Sequence, residues 1–317
     1  MSFFDPAKFT EEAVKSLKEE LTDKAIIAAS GGVDSTVAAA LASKAVGDKL
    51  LAIYVDTGYM RLGESAFVSS MLEDLGVQHR VVDASERFYN GLKRIIDPEE
   101  KRKIIGEQFI RVFEEEASKY GGKFLIQGTI APDWIESGGG MRDTIKSHHN
   151  VGGLPEDMEM KLCEPIRELY KDEVRSLAEF LKVSVAHRQP FPGPGLAVRV
   201  MGEATPKRTE IVRQACHIVE DELESAANNG KMELPWQYFA VLLPVKTVGV
   251  QGDVRAYGNT IAVRAVQSYD AMTAQALDVP YPVLKRISER ITRELKSDVN
   301  RVVYDITDKP PGTIEWE

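Results

Sequence analysis

The chemistry open to this chain is concentrated in one string, Ser30-Gly31-Gly32-Val33-Asp34-Ser35-Thr36. Adjacent glycines let a backbone approach phosphate oxygens closely, and the hydroxyls of Ser30, Ser35 and Thr36 add donors. No lysine follows a glycine at the spacing of GxxxxGK[ST], and GxGxxG is also missing from the sequence. Neither the usual triphosphate loop nor the dinucleotide fingerprint therefore applies. Asp34 is the informative member, because an acid inside an anion site makes best sense if a magnesium ion lies between it and the phosphates. The competing reading is a glycine-rich turn whose Asp and Ser cap the next helix.

The surrounding pattern decides where that string stands. Ala25 to Ala29 is a short apolar run and Val37 to Leu41 is Ala-rich and helix-like, so the string falls between a strand and its helix. Strands over Leu50 to Val55, His79 to Val82 and Phe124 to Ile126 alternate with a helix over Glu64 to Leu75, and Val14, Leu17 and Leu21 mark an amphipathic helix before them. This alternation predicts an α/β fold, a parallel sheet with helices on both faces, and ligands then bind at the carboxyl ends of the strands. Asp56 follows the second strand directly and so points into the same crevice or caps the next turn. Asp97, with Pro98 and Glu100 behind it, reads as the cap of a helix running to about Tyr120.

Residues 137 to 155 carry Gly138 to Gly140, His148, His149, Gly152 and Gly153 without periodicity, the pattern of a functional lid or a disordered loop, of which the basic content favours the lid. Lys146 within it either swings over a phosphate or is an ordinary solvated lysine. Adjacent histidines without an acidic or cysteine cluster argue against zinc, and they order the lid or contact substrate. A helix from about Asp172 to Leu181 precedes Phe191 to Leu196, where two prolines and two glycines break regular structure. The domain boundary is expected near residue 189, giving units 1–189 and 190–317. The second is read as a smaller α+β unit with helices over Ile211 to Glu224 and Val283 to Leu295, and strands over Phe239 to Pro244, Ile261 to Val266 and Arg301 to Ile306 paired antiparallel or mixed.

With 40 basic and 49 acidic residues, net −9, the balance argues against a chain-wide polyanion surface and a general nucleic-acid binder, while leaving room for a local basic cleft. Apolar runs are too short for a membrane span and no export signal is visible, so a cytoplasmic location is expected. Cys163 and Cys216 lie outside any CxxC spacing and read as packing residues.

SGGVDS after the first strand resembles the pyrophosphate-binding loop of the N-type ATP pyrophosphatases, which cleave ATP between the α and β phosphates. Seven further strings are similar to GMP synthetases in the family's order: DTGYMR (56–61), DPEEKRKIIG (97–106), QGTIAPDWIES (127–137), IKSHHNVGGLP (145–155), RQPFPGPGLAVRV (188–200), VGVQGDVRAY (248–257) and DKPPGTIEWE (308–317). The chain begins directly before the ATP loop and no Cys has a GxCxG setting, so it resembles the separate ATP-pyrophosphatase subunit of the two-chain archaeal type.

The resemblance implies a ligase that adenylates xanthosine monophosphate (XMP) with ATP and magnesium and aminates it with ammonia, giving GMP, AMP and pyrophosphate. It implies ATP contacts at Ser30, Gly31, Gly32, Val33, Asp34, Ser35, Thr36 and Asp56, with Asp34 on magnesium and Lys146 over the α-phosphate. It implies XMP contacts at Arg199, Gln251, Lys309, Thr313, Ile314 and Glu315. A glutamine amidotransferase partner would supply ammonia, and a homodimer would bury apolar faces of the Phe239 and Ile261 strands. Other ATP pyrophosphatases, such as an NAD synthetase or a tRNA thiolase, and a nucleotide-binding regulator without turnover are the alternatives.

Overall fold

The computed structural model describes residues 4–131, 160–185, 188–251, 254–269 and 271–317. Lys146, His148, His149 and the rest of the expected lid lie outside them. Two compact units are present, one formed by Met1–Thr57, Gly63–Arg87 and Gly106–Arg188, the other by Gly58–Leu62, Phe88–Ile105 and Gln189–Glu317. The second unit thus takes two short segments from the first 189 residues.

In the first unit, β1 (Ala25–Ala28), β2 (Leu50–Asp56), β3 (His79–Asp83), β4 (Phe124–Ile126) and β5 (Lys161–Cys163) form a parallel sheet in the order β3-β2-β1-β4-β5. Near-continuous apolar sequence in β1 and β2 matches burial on both faces, as a helix-covered parallel sheet requires. Helices α1 (Pro6–Glu20), α2 (Val33–Val46), α3 (Glu64–Asp74) and α4 (Ser85–Gly91) follow in chain order. In α2 every residue from Thr36 to Ala42 is buried, and its small side chains let the helix lie close to its neighbours. Because β2 lies on one side of β1 and β4 on the other, the end of β1 is a switch point where two strand-end loops part and leave a crevice.

Helix α5 (Pro98–Tyr120) starts where the sequence predicts, with the Asp97 carboxylate accepting from Glu100 N at 2.9 Å. Helix α6 (Lys171–Phe180) closes the first unit's sequence. Both cysteines are free and buried, and burial is the main cause that pushes the Cys163 thiol up to about 12.

The second unit is a mixed sheet. Strands β6 (Gln237–Gln251) and β7 (Val254–Gln267) form a long antiparallel hairpin, β8 (Gln275–Ala276) pairs β7 antiparallel, and β9 (Val299–Asp305) pairs β7 in parallel. The register shifts between Leu242 and Lys246, around Pro244, which cannot donate to a ladder. Helices α7 (Pro206–Asn228) and α8 (Tyr281–Glu294) bury Ile211, Val212, Val219, Leu223, Val283, Ile287 and Ile291 in this unit's core. Phe239 and Ile261 are fully buried within the chain, so the faces expected to bury in a dimer are already covered. The exposed apolar residues instead lie farther along the hairpin, at Val245, Val248, Val250, Val254 and Tyr257. No helix among the described residues is long and apolar enough to cross a membrane.

Candidate nucleotide-binding sites

The anion loop occupies the switch point. Gly31 has φ +77°, and a Cβ there would stand 3.0 Å from Val68 Cγ2 and 3.1 Å from Glu64 Oε1, so both conformation and space require glycine. Gly32 precedes α2 without a side-chain cap on the helix, leaving the first-turn amides of α2 directed at the crevice. The hydroxyls are ordered around this turn. Ser30 Oγ accepts from Gly32 N at 3.3 Å and lies 3.0 Å from Ser35 Oγ, while Thr36 Oγ1 donates to Gly32 O at 2.7 Å. Thr36 is buried and serves the turn, whereas Ser30 is exposed to the crevice side of the loop.

Three supporting features had no local sequence signal. Lys171, the first residue of α6, donates to both Asp34 carboxylate oxygens at 2.9 and 2.6 Å. Glu64, nearly buried beneath Gly31, receives a bidentate pair from Arg188 at 2.7 and 2.6 Å, and the Arg188 guanidinium lies 4.4 Å from the centre of the Phe67 ring. Gly128, just past β4, faces the start of α2 so closely that a Cβ would meet Asp34 C and Ser35 N at 2.8 Å. The strand-end after β4 and the first turn of α2 therefore touch backbone to backbone. Asp56 ends β2 and accepts from Ser65 Oγ of α3, which ties it to the next helix.

The expected XMP residues fall in the second unit, where four of them belong to one segment. The tail from Thr313 has no ladder and is held by buried cations. Arg264, fully buried, donates to the carbonyls of Thr307, Thr313 and Ile314 at 2.6, 2.9 and 3.2 Å and pairs with Asp305 at 3.0 Å. Arg199, 1% exposed, forms a two-pronged pair with Glu315 at 3.0 and 2.8 Å, and Gln237 Nε2 adds a bond to the same carboxylate at 2.9 Å. Phe191 and Phe239 flank that guanidinium at 5.2 and 4.1 Å. Burial disfavours the charge on Arg199, but the Glu315 carboxylate outweighs it and keeps the guanidinium protonated.

Arg199 lies beneath Glu315 and holds that carboxylate through Nε and Nη2, while its Nη1 has no hydrogen-bond partner among the described residues. Ile314 is nearly buried as well. Lys309 is no frayed end: its backbone pairs with Ala274 in both directions at 3.0 and 2.7 Å. Its ammonium donates to Ala271 O at 2.8 Å, and the residue lines a cavity of about 730 Å³ with Trp236, Gln267, Tyr269 and Asp308. Gln251 is not brought to this group. It ends β6, fourteen residues beyond Gln237, which at the rise of an extended strand is roughly 45 Å along the ribbon.

A parallel α/β unit with an acid-bearing SGGVDST loop at its switch point, without a loop lysine, defines an ATP-using enzyme of the N-type pyrophosphatase class. The NAD synthase family model matches residues 7–106, and the GMP synthase C terminal domain matches residues 223–316. One of the two chains of the glutamine-hydrolysing GMP synthase of Pyrococcus horikoshii is 59% identical over 317 residues, covering 99% of this chain and 100% of that one. Its counterpart in Pyrococcus abyssi is 60% identical over 314 residues, covering 98% and 99%. Among solved structures, NMN synthetase from Francisella tularensis superposes with a TM-score of 0.49 at 17% identity, over 73% of this chain and 88% of that one. The chain belongs to the family of synthetase subunits of the two-chain archaeal GMP synthases, ligases that convert XMP to GMP in purine biosynthesis. The NAD synthase-like segment contains the SGGVDST loop, and the GMP synthase C terminal domain follows it.

The contact at Gly128 yields a direct test. Gly128→Ala must push the strand-end away from α2, so the KM for ATP should rise about tenfold or more, equivalent to roughly 1.4 kcal/mol, while the far-ultraviolet spectrum is unchanged. An unaltered KM would mean that this backbone approach does not shape the ATP site.

Proposed function

We propose that residues 30–36 hold the β and γ phosphates of ATP as a leaving pyrophosphate, and that the segment 309–315 holds XMP. The supporting observation is the open first turn of α2, with Gly31 and Gly32 in front of it and a carboxylate–ammonium pair beside it. The C2 oxygen of XMP attacks the α-phosphorus, the bond to the β-phosphate oxygen breaks, and pyrophosphate departs. Ammonia then attacks C2 and AMP leaves, giving GMP. Two anionic nucleotides must meet in this reaction, so positioning and charge neutralisation carry the catalysis.

Magnesium fits Asp34. The carboxylate is partly exposed, already attracts one cation in Lys171, and no group of three acidic, His or Cys side chains that could hold a metal occurs among the described residues. A magnesium ion held mainly by phosphate oxygens, with one protein carboxylate, is the arrangement such a site supports, and it would neutralise charge on the leaving group. Lys171, 46% exposed along its side chain, is able to move from Asp34 to a phosphate oxygen. Lys146 is assigned to the α-phosphate and Asp56 to the adenosine side, on the family resemblance alone. Lys309 binds the XMP phosphate, and Glu315, held by Arg199, accepts from the base or ribose with the lone pair that the guanidinium leaves open.

The relatives are named as one chain of a glutamine-hydrolysing enzyme, and a separate amidotransferase chain supplies ammonia in this reading. Two copies of the present chain pair through the exposed strand residues at 245–250 and 254–257, which would bring the Gln251 end of β6 to the nucleotide segment of the partner. Replacing Val250 and Val254 with Asp should halve the mass in sedimentation and raise the KM for XMP. A dimer that survives both changes would place the interface elsewhere.

XMP, ATP, magnesium and ammonium should yield GMP with equal AMP and pyrophosphate, and glutamine should replace ammonium only when the amidotransferase is added. ADP with orthophosphate as products would end this reading. Asp34→Asn should slow pyrophosphate release about a hundredfold or more, the scale of removing one transition-state charge contact, with Lys171→Met acting in the same direction; unchanged turnover in the former removes Asp34 from the metal. Lys309→Ala should raise the KM for XMP more than that for ATP, whereas equal effects would contradict its assignment. Lys309 is a cleaner probe than Glu315, because deleting Glu315 strands a buried guanidinium at about 3–5 kcal/mol.

A further inference from the structure

The DPEEKRKIIG string is left without a task by the ATP and XMP assignments. Its Lys101 is fully buried, yet it is an ammonium with three protons and three acceptors: Val200 O at 2.8 Å, Ala197 O at 3.3 Å and the Glu317 carboxylate. Glu317 is equally engaged. Its other carboxylate oxygen accepts from Gly202 N at 3.0 Å, and its backbone oxygen accepts from Arg102.

The partners of Lys101 are not arbitrary. Ala197 and Val200 belong to the turn that carries Arg199, with Ala197 two residues before it and Val200 next to it, while Glu317 stands two residues beyond Glu315. One ammonium thus ties down both halves of the Arg199–Glu315 pair. Between the anchors, Trp316 Nε1 bonds Asp305 at 3.1 Å, and Arg264 holds the carbonyls of Thr313 and Ile314. Residues 313–317 have no ladder of their own, so these side chains are what fixes their course.

A buried lysine is poor material for stability alone. Desolvation pulls Lys101 below the ordinary lysine range, against the opposing pull of Glu317. An apolar side chain of similar length would fill the space without that penalty, and a buried ion pair is better accounted for by the geometry it imposes.

We infer that Lys101 is a positioning residue for the nucleotide segment, setting through Glu317 and the 197–200 turn where Glu315 stands. This rests on the placement of XMP at residues 309–315, and the test separates the two. In Lys101→Met, the amides of residues 313–316 should exchange with solvent about tenfold faster, the KM for XMP should rise about tenfold, and the KM for ATP should stay within about twofold. Glu317→Gln keeps an acceptor for Gly202 and should show the same pattern more weakly, which covers the case in which Lys101→Met does not fold. Unchanged exchange at 313–316 in both variants would overturn the inference. So would faster exchange with an unaltered KM for XMP, if Lys309→Ala does raise that KM; if neither Lys101→Met nor Lys309→Ala raises it, XMP does not lie on this segment and the inference falls with that reading.

Discussion

Backbone amides at the end of β1 set what the first unit can bind. A parallel sheet aligns its strand ends on one side, and the reversal of direction between β2 and β4 opens a gap there. The first turn of α2 faces that gap with N–H groups that have no partner within the helix. Gly31 takes a conformation closed to other residues, and Gly128 lets a second strand-end come into contact with the same turn. The loop itself carries no lysine. Its absence leaves backbone donors and the carboxylate of Asp34 as the chemistry on offer.

Buried cations perform the corresponding task in the second unit. Arg199, Arg264 and Lys101 are each at or near zero exposure and each is matched to a carboxylate, to which Arg264 and Lys101 add main-chain carbonyls. Such pairs add little net stability, since desolvation offsets most of their attraction. Their effect is directional. A guanidinium that binds Thr307, Thr313 and Ile314 carbonyls leaves the tail one path, and a strandless segment becomes as well defined as a strand.

Four strands of the first unit's sheet are readable from sequence because buried parallel strands are short apolar runs, whereas β5, exposed at two of its three residues, is not. The Asp97 cap and the mixed character of the second sheet follow from local signals. The upper half of the β6–β7 hairpin is not readable. Pro244 and the polar residues after it break the apolar pattern, although the ladder resumes at Lys246 after a register shift. The polar side of the sites is also hidden in its pairings. Arg188 and Glu64 are 124 residues apart, Lys171 and Asp34 are 137 apart, and Lys101 and Glu317 are 216 apart. No periodicity links such positions, and a lone Lys or Glu in a sequence is ordinarily a solvated surface residue. Arg199 stands beside the C-terminal segment, but its burial under Glu315 is a property of tertiary packing alone.

The charge balance explains how a chain of net −9 can handle anionic nucleotides. Among the described residues, Lys101, Lys171, Arg188, Arg199 and Arg264 are each paired with a carboxylate, so the field there is arranged by geometry and not by excess positive charge. Removing a partner from Arg199, Arg264 or Lys101 would strand a charge in a dry interior, and these pairs are therefore fixed. Lys171 differs, being 46% exposed where the other three are 0–1%. Water can stabilise it. Its ammonium offsets the negative charge that Asp34 would otherwise present in the loop. The acid in the anion loop and the accessible lysine beside it are thus two halves of one arrangement, a carboxylate balanced by a cation that water can reach.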